Sequence, residues 1–95
     1  MKNRFHSFFQ KEINREIDKL IDIIGSIKHS KRYLKVLFSI DKEERTENDL
    51  ELINIVQSQL KQTRKDYQNS VKKIRLMKNL RTETQKYYQE HFSKN

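Results

Sequence analysis

Large apolar residues recur at helical spacing along two long segments of the chain. In the first segment, Phe5 to Ile40, steps of four and three residues alternate, which is the spacing of a coiled-coil seam. The members of this predicted seam are Ile13, Ile17, Leu20, Ile24, Ile27, Leu34 and Phe38, with Lys31 in its one missing rung. The pattern predicts a first helical arm over residues 3–40. This arm is either one helix or two, because Gly25–Ser30 is the only stretch that offers a break.

The second segment continues the same spacing through four heptads. Its predicted seam consists of Ile53, Val56, Leu60, Thr63, Tyr67, Ser70, Ile74 and Met77. Between the two segments, "DKEERTEND" (41–49) has no large apolar residue, and Thr46 with Asp49 resembles a capping box at a helix start. The pattern therefore predicts an acidic turn at 41–46 and a second long helix over 47–92.

Two helices of similar length with matching apolar stripes predict an all-α fold, a long antiparallel helical hairpin that resembles a coiled coil. Ninety-five residues make at most one domain, so we expect a single helical domain over 1–95. A two-helix hairpin has a thin core, and apolar residues outside the seam need cover. Leu76 and Leu80 are such residues, together with Phe8, Phe9, Ile23, Val36, Leu37 and Ile55. A second copy, giving a dimeric helical bundle, or a different protein would cover them.

Charge is distributed unevenly along the chain, whose net charge is +8. Residues 41–60 hold two bases and six acids, whereas residues 61–86 hold nine bases and two acids. In the predicted register Lys61, Lys65, Lys72 and Arg75 occupy outward positions of the second helix. Clustered cations of this kind bind phosphates or an acidic protein surface, or they form a plain solvated face.

Aromatic residues gather at both ends of the sequence. Phe5, Phe8 and Phe9 belong to "RFHSFF" (4–9), and Tyr87 and Phe92 belong to "YYQEHF" (87–92). In an antiparallel hairpin both groups lie at the open end. There they would form an aromatic plug, a partner-binding cleft or a platform on which bases stack.

The sequence contains no cluster that indicates catalysis. It has no Cys, and its three His are far apart, so we expect no metal site and no cofactor. "REIDKLID" (15–22) resembles the start of the first helix of the small all-helical chorismate mutases, and this resemblance implies that Arg15 and Arg32 bind a dianionic substrate. The likeness ends before the turn, which lacks that family's Pro-containing linker. We therefore expect that the protein is not an enzyme.

These patterns favour a non-catalytic helical protein–protein interaction module, such as a small adaptor, chaperone or regulator. Its partner would be another protein or a second copy, bound through Leu76, Leu80 and the aromatic end. The alternative is a nucleic-acid-binding protein that contacts phosphates through its basic helix face. The longest apolar run, Leu20–Ile27, is too short to cross a bilayer and no secretory signal follows Met1, so the expected location is the cytoplasm.

Overall fold

The chain folds as two long α-helices joined by a short turn. In the computed structural model, the backbone is described for residues 4–92 and the side chains for residues 6–91. Helix α1 is Arg4–Ser39 and helix α2 is Glu47–Phe92. The described residues contain no strand, so the predicted all-α helical hairpin is confirmed. Gly25 lies inside α1 without a break, so the first arm is one helix.

The turn between the helices is held by side chains from its own C-terminal end. Thr46 and Asp49 form the predicted capping box: the Thr46 backbone N–H donates to Asp49 Oδ2 at 2.9 Å, and the Asp49 N–H donates to Thr46 Oγ1 at 3.2 Å. Arg45 donates to the carbonyl oxygens of Phe38 and Ile40 at 3.2 and 3.1 Å. These bonds satisfy some of the backbone groups that the ends of α1 and α2 leave without a partner within the helix.

The hairpin divides into two compact units, each containing part of both helices. Unit 1 joins Met1–Leu20 to Asn69–Asn95, and unit 2 is Ile21–Gln68. The core of unit 2 consists of Leu34, Leu37, Ile53, Val56 and Leu60. The core of unit 1 consists of Ile13, Ile74 and Met77, with Leu20 packed against them. That the chain is a single domain stays a prediction.

The seam of α2 follows the predicted register except at Tyr67, which is 39% exposed, whereas the seam of α1 departs from its prediction. Glu16 and Leu37 are buried, with 7% and 6% of their surface exposed, whereas Ile17 and Phe38 are 36% and 47% exposed. The prediction that Ile17 and Phe38 belong to the seam is therefore wrong, as is the placing of Leu37 outside it. Apolar character alone selected Ile17 over Glu16, although a buried carboxylate is tolerated where its hydrogen bonds are satisfied.

Lys31 does not lie in the seam of α1. Its predicted seam position is wrong, since Lys31 is exposed and the neighbouring Ser30 is half-buried. The α1 seam runs through Ile27, Ser30, Leu34 and Leu37 instead. A serine can face the other helix at little cost because it is uncharged, whereas a lysine there would bury its ammonium group away from water. Lys31 is therefore on the flank of the hairpin, where it can contact a ligand.

Candidate functional site: the two flanks of unit 2

The surface of unit 2 has two flanks, one on each side of the buried seam. A groove on the first flank is lined by Leu34, Gln57, Leu60, Lys61, Arg64, Lys65 and Gln68. A groove on the opposite flank is lined by His29, Ser30, Tyr33, Val56 and Gln59. The two grooves share no lining residue. Their lining residues therefore show which side of each helix belongs to each flank.

Helix α1 adds three lysines to the first flank. Successive side chains of an α-helix are about 100° apart, so Lys31 lies about 60° to one side of Leu34 and Tyr33 about 100° to the other. Tyr33 lines the opposite groove, which places Lys31 on the side of Lys61 and Arg64. Lys28 and Lys35 follow Lys31 at helical spacing and are exposed like it. We name this surface the cationic flank; its members are Lys28, Lys31, Lys35, Lys61, Arg64 and Lys65.

Acidic residues are nearly absent from the segments that form the cationic flank. Residues 24–38 contain no Asp or Glu, and residues 54–68 contain only Asp66. Asp66 accepts a hydrogen bond of 3.1 Å from Gln62, and Gln62 lines a groove on the opposite flank. Neither of the two ion pairs found among the described residues involves a member of the cationic flank. Six cations therefore share one surface with no carboxylate between them.

The opposite flank carries exposed apolar side chains. Tyr33, Val36, Leu52 and Ile55 are 41%, 63%, 37% and 45% exposed, and we name these four residues the apolar flank. The helix positions on this side, three and four residues apart, are 22, 26, 29, 33 and 36 of α1 and 48, 52, 55, 59, 62 and 66 of α2. None of them is Lys or Arg, and two are Asp. The apolar flank is thus poor in charge, and on the other side of the unit Phe38 and Leu50 are also exposed, at 47% and 50%.

The four predicted basic contact residues fall in different units. Lys61 and Lys65 line the groove of the cationic flank, whereas Lys72 and Arg75 lie in unit 1, and all four are exposed. Sequence reasoning missed the contribution of α1 to this surface. The lysines of α1 were missed because the predicted register put one of them, Lys31, in the seam. The complete absence of acids from residues 24–38 was the signal that could have found them.

A buried polar cluster lies in unit 1. Ser70 Oγ donates to Glu16 Oε1 at 2.9 Å, and Lys73 Nζ lies 3.3 Å from Glu16 Oε2. Burial by itself raises the pKa of Glu16. The hydrogen bond from Ser70, the hydrogen bond and charge of Lys73 and the charge of Lys19 outweigh burial, so the pKa lies below its ordinary value of 4.5. These contacts account for a carboxylate within the seam, and they give this cluster a structural role.

The predicted aromatic end is exposed where it is described. Phe8 and Tyr87 are 57% and 59% exposed, and Phe9 is half-buried. The ring of Phe8 contacts the neighbouring Phe9 ring edge-on, with the ring centroids 5.5 Å apart, and the rings of Tyr87 and His91 are 4.1 Å apart. Each of these two contacts joins residues of the same helix. A closed plug would bury Phe8 and Tyr87, which the structure does not do. The side chains of Phe5 and Phe92 lie outside the described residues.

The predicted partner-binding residues Leu76 and Leu80 belong to unit 1. They are 58% and 40% exposed, so both are accessible to a partner. Of the exposed large apolar residues on α2, most others lie in unit 2: Leu50, Leu52, Ile55 and Tyr67. Within α2, unit 2 therefore presents more exposed apolar side chains than the pair selected from sequence.

Other kinds of site receive no support from the described residues. No three His, Cys, Asp or Glu side chains of that part of the chain come together as ligands for a metal ion. No helix there has an apolar stretch long enough to cross a membrane.

No family model, no curated protein and no solved structure matches the chain. A proposal for its function therefore rests on the geometry and chemistry of the two flanks.

Proposed function

We propose that the protein is a non-catalytic helical protein–protein interaction module that associates with a second copy of itself through the apolar flank. One observation carries this proposal: Tyr33, Val36, Leu52 and Ile55 are all exposed on one flank of unit 2. Scattered exposed apolar residues are ordinary on a soluble protein, but several grouped on one side of a small helical unit mark an interaction surface.

Electrostatics favour a second copy on this flank. Each chain carries a net charge of +8, so two copies repel each other at most orientations. The apolar flank has no Lys or Arg at its helix positions and includes Asp22 and Asp66. Two copies that meet through it keep their cationic flanks turned away from each other. The repulsion is therefore smallest in an orientation that also removes apolar surface from water.

The resulting arrangement is a common solution for a hairpin with a thin core. Two hairpins related by a two-fold axis bury both copies of the apolar flank in a four-helix bundle. Tyr33 and Ile55 then lie against the partner hairpin, where a large aromatic or aliphatic side chain contributes most to binding.

Sedimentation velocity at physiological ionic strength tests this function. We expect a dimer for the wild-type protein and a monomer for Ile55→Lys, because the substitution places a charge within the interface. Leu76→Lys is the matched control, since it adds the same charge at an exposed apolar position of the same helix in unit 1. Lysine has a higher helix propensity than isoleucine and about the same as leucine, so circular dichroism should show unchanged helix content for both variants.

Three outcomes decide between the surfaces. A wild-type monomer at high concentration contradicts the proposal. If the dimer survives Ile55→Lys but is disrupted by Leu76→Lys, the interface lies instead at Leu76 and Leu80, as expected from sequence. A dimer disrupted by Ile55→Lys alone supports the apolar flank.

A further inference from the structure

We propose that the cationic flank is a second, independent binding site, and that its ligand is the phosphate backbone of a nucleic acid duplex. The site is built from both helices of unit 2. Lys28, Lys31 and Lys35 form a row on α1, and Lys61, Arg64 and Lys65 form a row on α2. Neither row alone exceeds three cations, so the site exists only because the hairpin brings the two rows onto one flank.

The six cations lie along one continuous stretch of the hairpin. The contact of Ser70 with Glu16, and the groove that brings Ser30 together with Val56, place residues 61–65 beside residues 21–27 of α1. The two rows therefore follow one another along the axis, and at a rise of about 1.5 Å per residue they extend over about 20 Å. Double-stranded DNA carries one negative charge per about 1.7 Å of its axis, so a duplex that lies along the flank offers a phosphate to each of the six cations.

The residues around the cations favour phosphates over an acidic protein. Protein interfaces are anchored by exposed aromatic or aliphatic side chains. The apolar residues that line the groove are Leu34 and Leu60, which are only 9% and 7% exposed and belong to the core. The exposed ring of Phe38 lies beyond Lys35 and is already in contact with the guanidinium of Arg45. Gln57 and Gln68 line the groove instead and offer amide N–H donors to phosphate oxygens.

Contacts of this kind fix position without reading sequence. The flank has no narrow recognition element that enters a groove, and its side chains reach phosphate oxygens rather than base edges. Binding should therefore be insensitive to base sequence and strongly dependent on salt, because each neutralised phosphate releases condensed counterions.

Fluorescence anisotropy with a short random-sequence DNA duplex tests the site. With six contacts, the logarithmic salt slope is about −5, so affinity falls about 10³-fold between about 50 mM and about 200 mM salt. The combined variant Lys61→Gln, Arg64→Gln and Lys65→Gln should reduce the slope to about −3, a loss of about 40-fold over the same range. The combined variant Lys28→Gln, Lys31→Gln and Lys35→Gln should behave in the same way, although its substitutions are on the other helix.

A charge-matched variant separates a site from mere net charge. Lys11→Gln, Lys42→Gln and Lys86→Gln together remove three exposed cations outside the cationic flank. This control should keep the wild-type slope to within about one unit. If it weakens binding as much as the flank variants do, bulk charge accounts for binding and the proposed site is wrong. Glutamine is a good helix former, so all three variants should retain their helix content by circular dichroism.

Two further probes distinguish the ligand and the surface. Lys72→Gln with Arg75→Gln tests the basic residues of unit 1; a larger loss than in the flank variants would overturn the proposal. A poly-glutamate peptide should bind more weakly than the duplex at equal salt, and equal or tighter binding would assign the flank to an acidic protein. Absence of duplex binding at about 50 mM salt also contradicts the site, while leaving the self-association result untouched.

Discussion

The buried carboxylate of Glu16, in the seam of unit 1, accepts a hydrogen bond that one substitution can remove. Ser70→Ala deletes the hydroxyl that donates to Glu16 at 2.9 Å and leaves Lys73 as the contact on the other carboxylate oxygen. Because Glu16 is buried, water does not freely replace the lost donor. The substitution therefore leaves a partly unsatisfied carboxylate inside the hairpin.

The expected magnitude follows from two opposing effects. A hydrogen bond to a charged group contributes about 1.5–3 kcal/mol, and alanine in place of serine improves helix propensity by about 0.5 kcal/mol. Ser70→Ala should thus lower the free energy of unfolding by about 1–2.5 kcal/mol. Ser58→Ala is the matched control, since Ser58 is an exposed serine within the same helix, and it should raise stability slightly.

The effect should depend on pH in a defined direction. The pKa of Glu16 is lowered in the folded protein, so its carboxylate stabilises the fold when the pH is above 4.5, the ordinary pKa of a glutamate. That stabilisation is lost as the pH falls through the lower pKa of the folded state. The difference between wild type and Ser70→Ala should therefore be largest near neutral pH and shrink below pH 4.5.

Urea unfolding followed by far-ultraviolet circular dichroism measures these differences. All variants are compared at one protein concentration, because association changes the apparent stability. The difference between wild type and Ser58→Ala should stay constant with pH. If Ser70→Ala is as stable as Ser58→Ala at neutral pH, the hydroxyl contributes nothing to the seam and the account of Glu16 is wrong.

Three further substitutions test the helices and the turn. Gly25→Ala should raise stability by about 1 kcal/mol in the same urea assay, because a Cβ there meets nothing within 4 Å and alanine favours the helix; a lower midpoint would contradict the open space. Thr46→Ala should cost about 1 kcal/mol through loss of the bond to Asp49, whereas an unchanged midpoint would mean that the capping box is dispensable. Arg45→Ala should cost about 1–3 kcal/mol because two carbonyls at the end of α1 lose their donor, and Lys42→Ala in the same turn is its neutral control.

Helix positions were predictable from sequence because their signals are local. The change from apolar periodicity to a polar stretch sets the end of α1, and Thr46 with Asp49 sets the start of α2. Both features depend on residues within one turn of helix. The predicted arms, 3–40 and 47–92, therefore lie within one residue of the described helices.

The register of α1 was not predictable in the same way, because it depends on residues far along the chain. Ile17 looks like the better core residue until Ser70 is known to face position 16. With a turn centred near residue 43, positions 16 and 70 are equally distant from it, so Ser70 was a usable signal. Arg45 was also missed as the cap of α1, since no spacing rule connects an arginine to carbonyls five and seven residues earlier.

The candidate sites depended on this register. Once Lys31 is removed from the seam, Lys28, Lys31 and Lys35 form a row on the same flank as Lys61 and Arg64. Sequence alone placed two cations of the cationic flank on the surface correctly but assigned them to a single-helix stripe. A pattern on one helix cannot show which residues of another helix share its flank.

The turn has a consequence for the order in which the chain folds. Its bonds connect residues three to seven positions apart, whereas the bond from Ser70 to Glu16 closes 54 residues and that from Arg81 to Gln10 closes 71. Loop-closure entropy makes the 54-residue closure about 2 kcal/mol more costly than a seven-residue one. Nucleation at the turn therefore precedes zipping toward the chain ends. Amide protons near the termini should exchange with solvent first, and those beside Leu37 and Ile53 last.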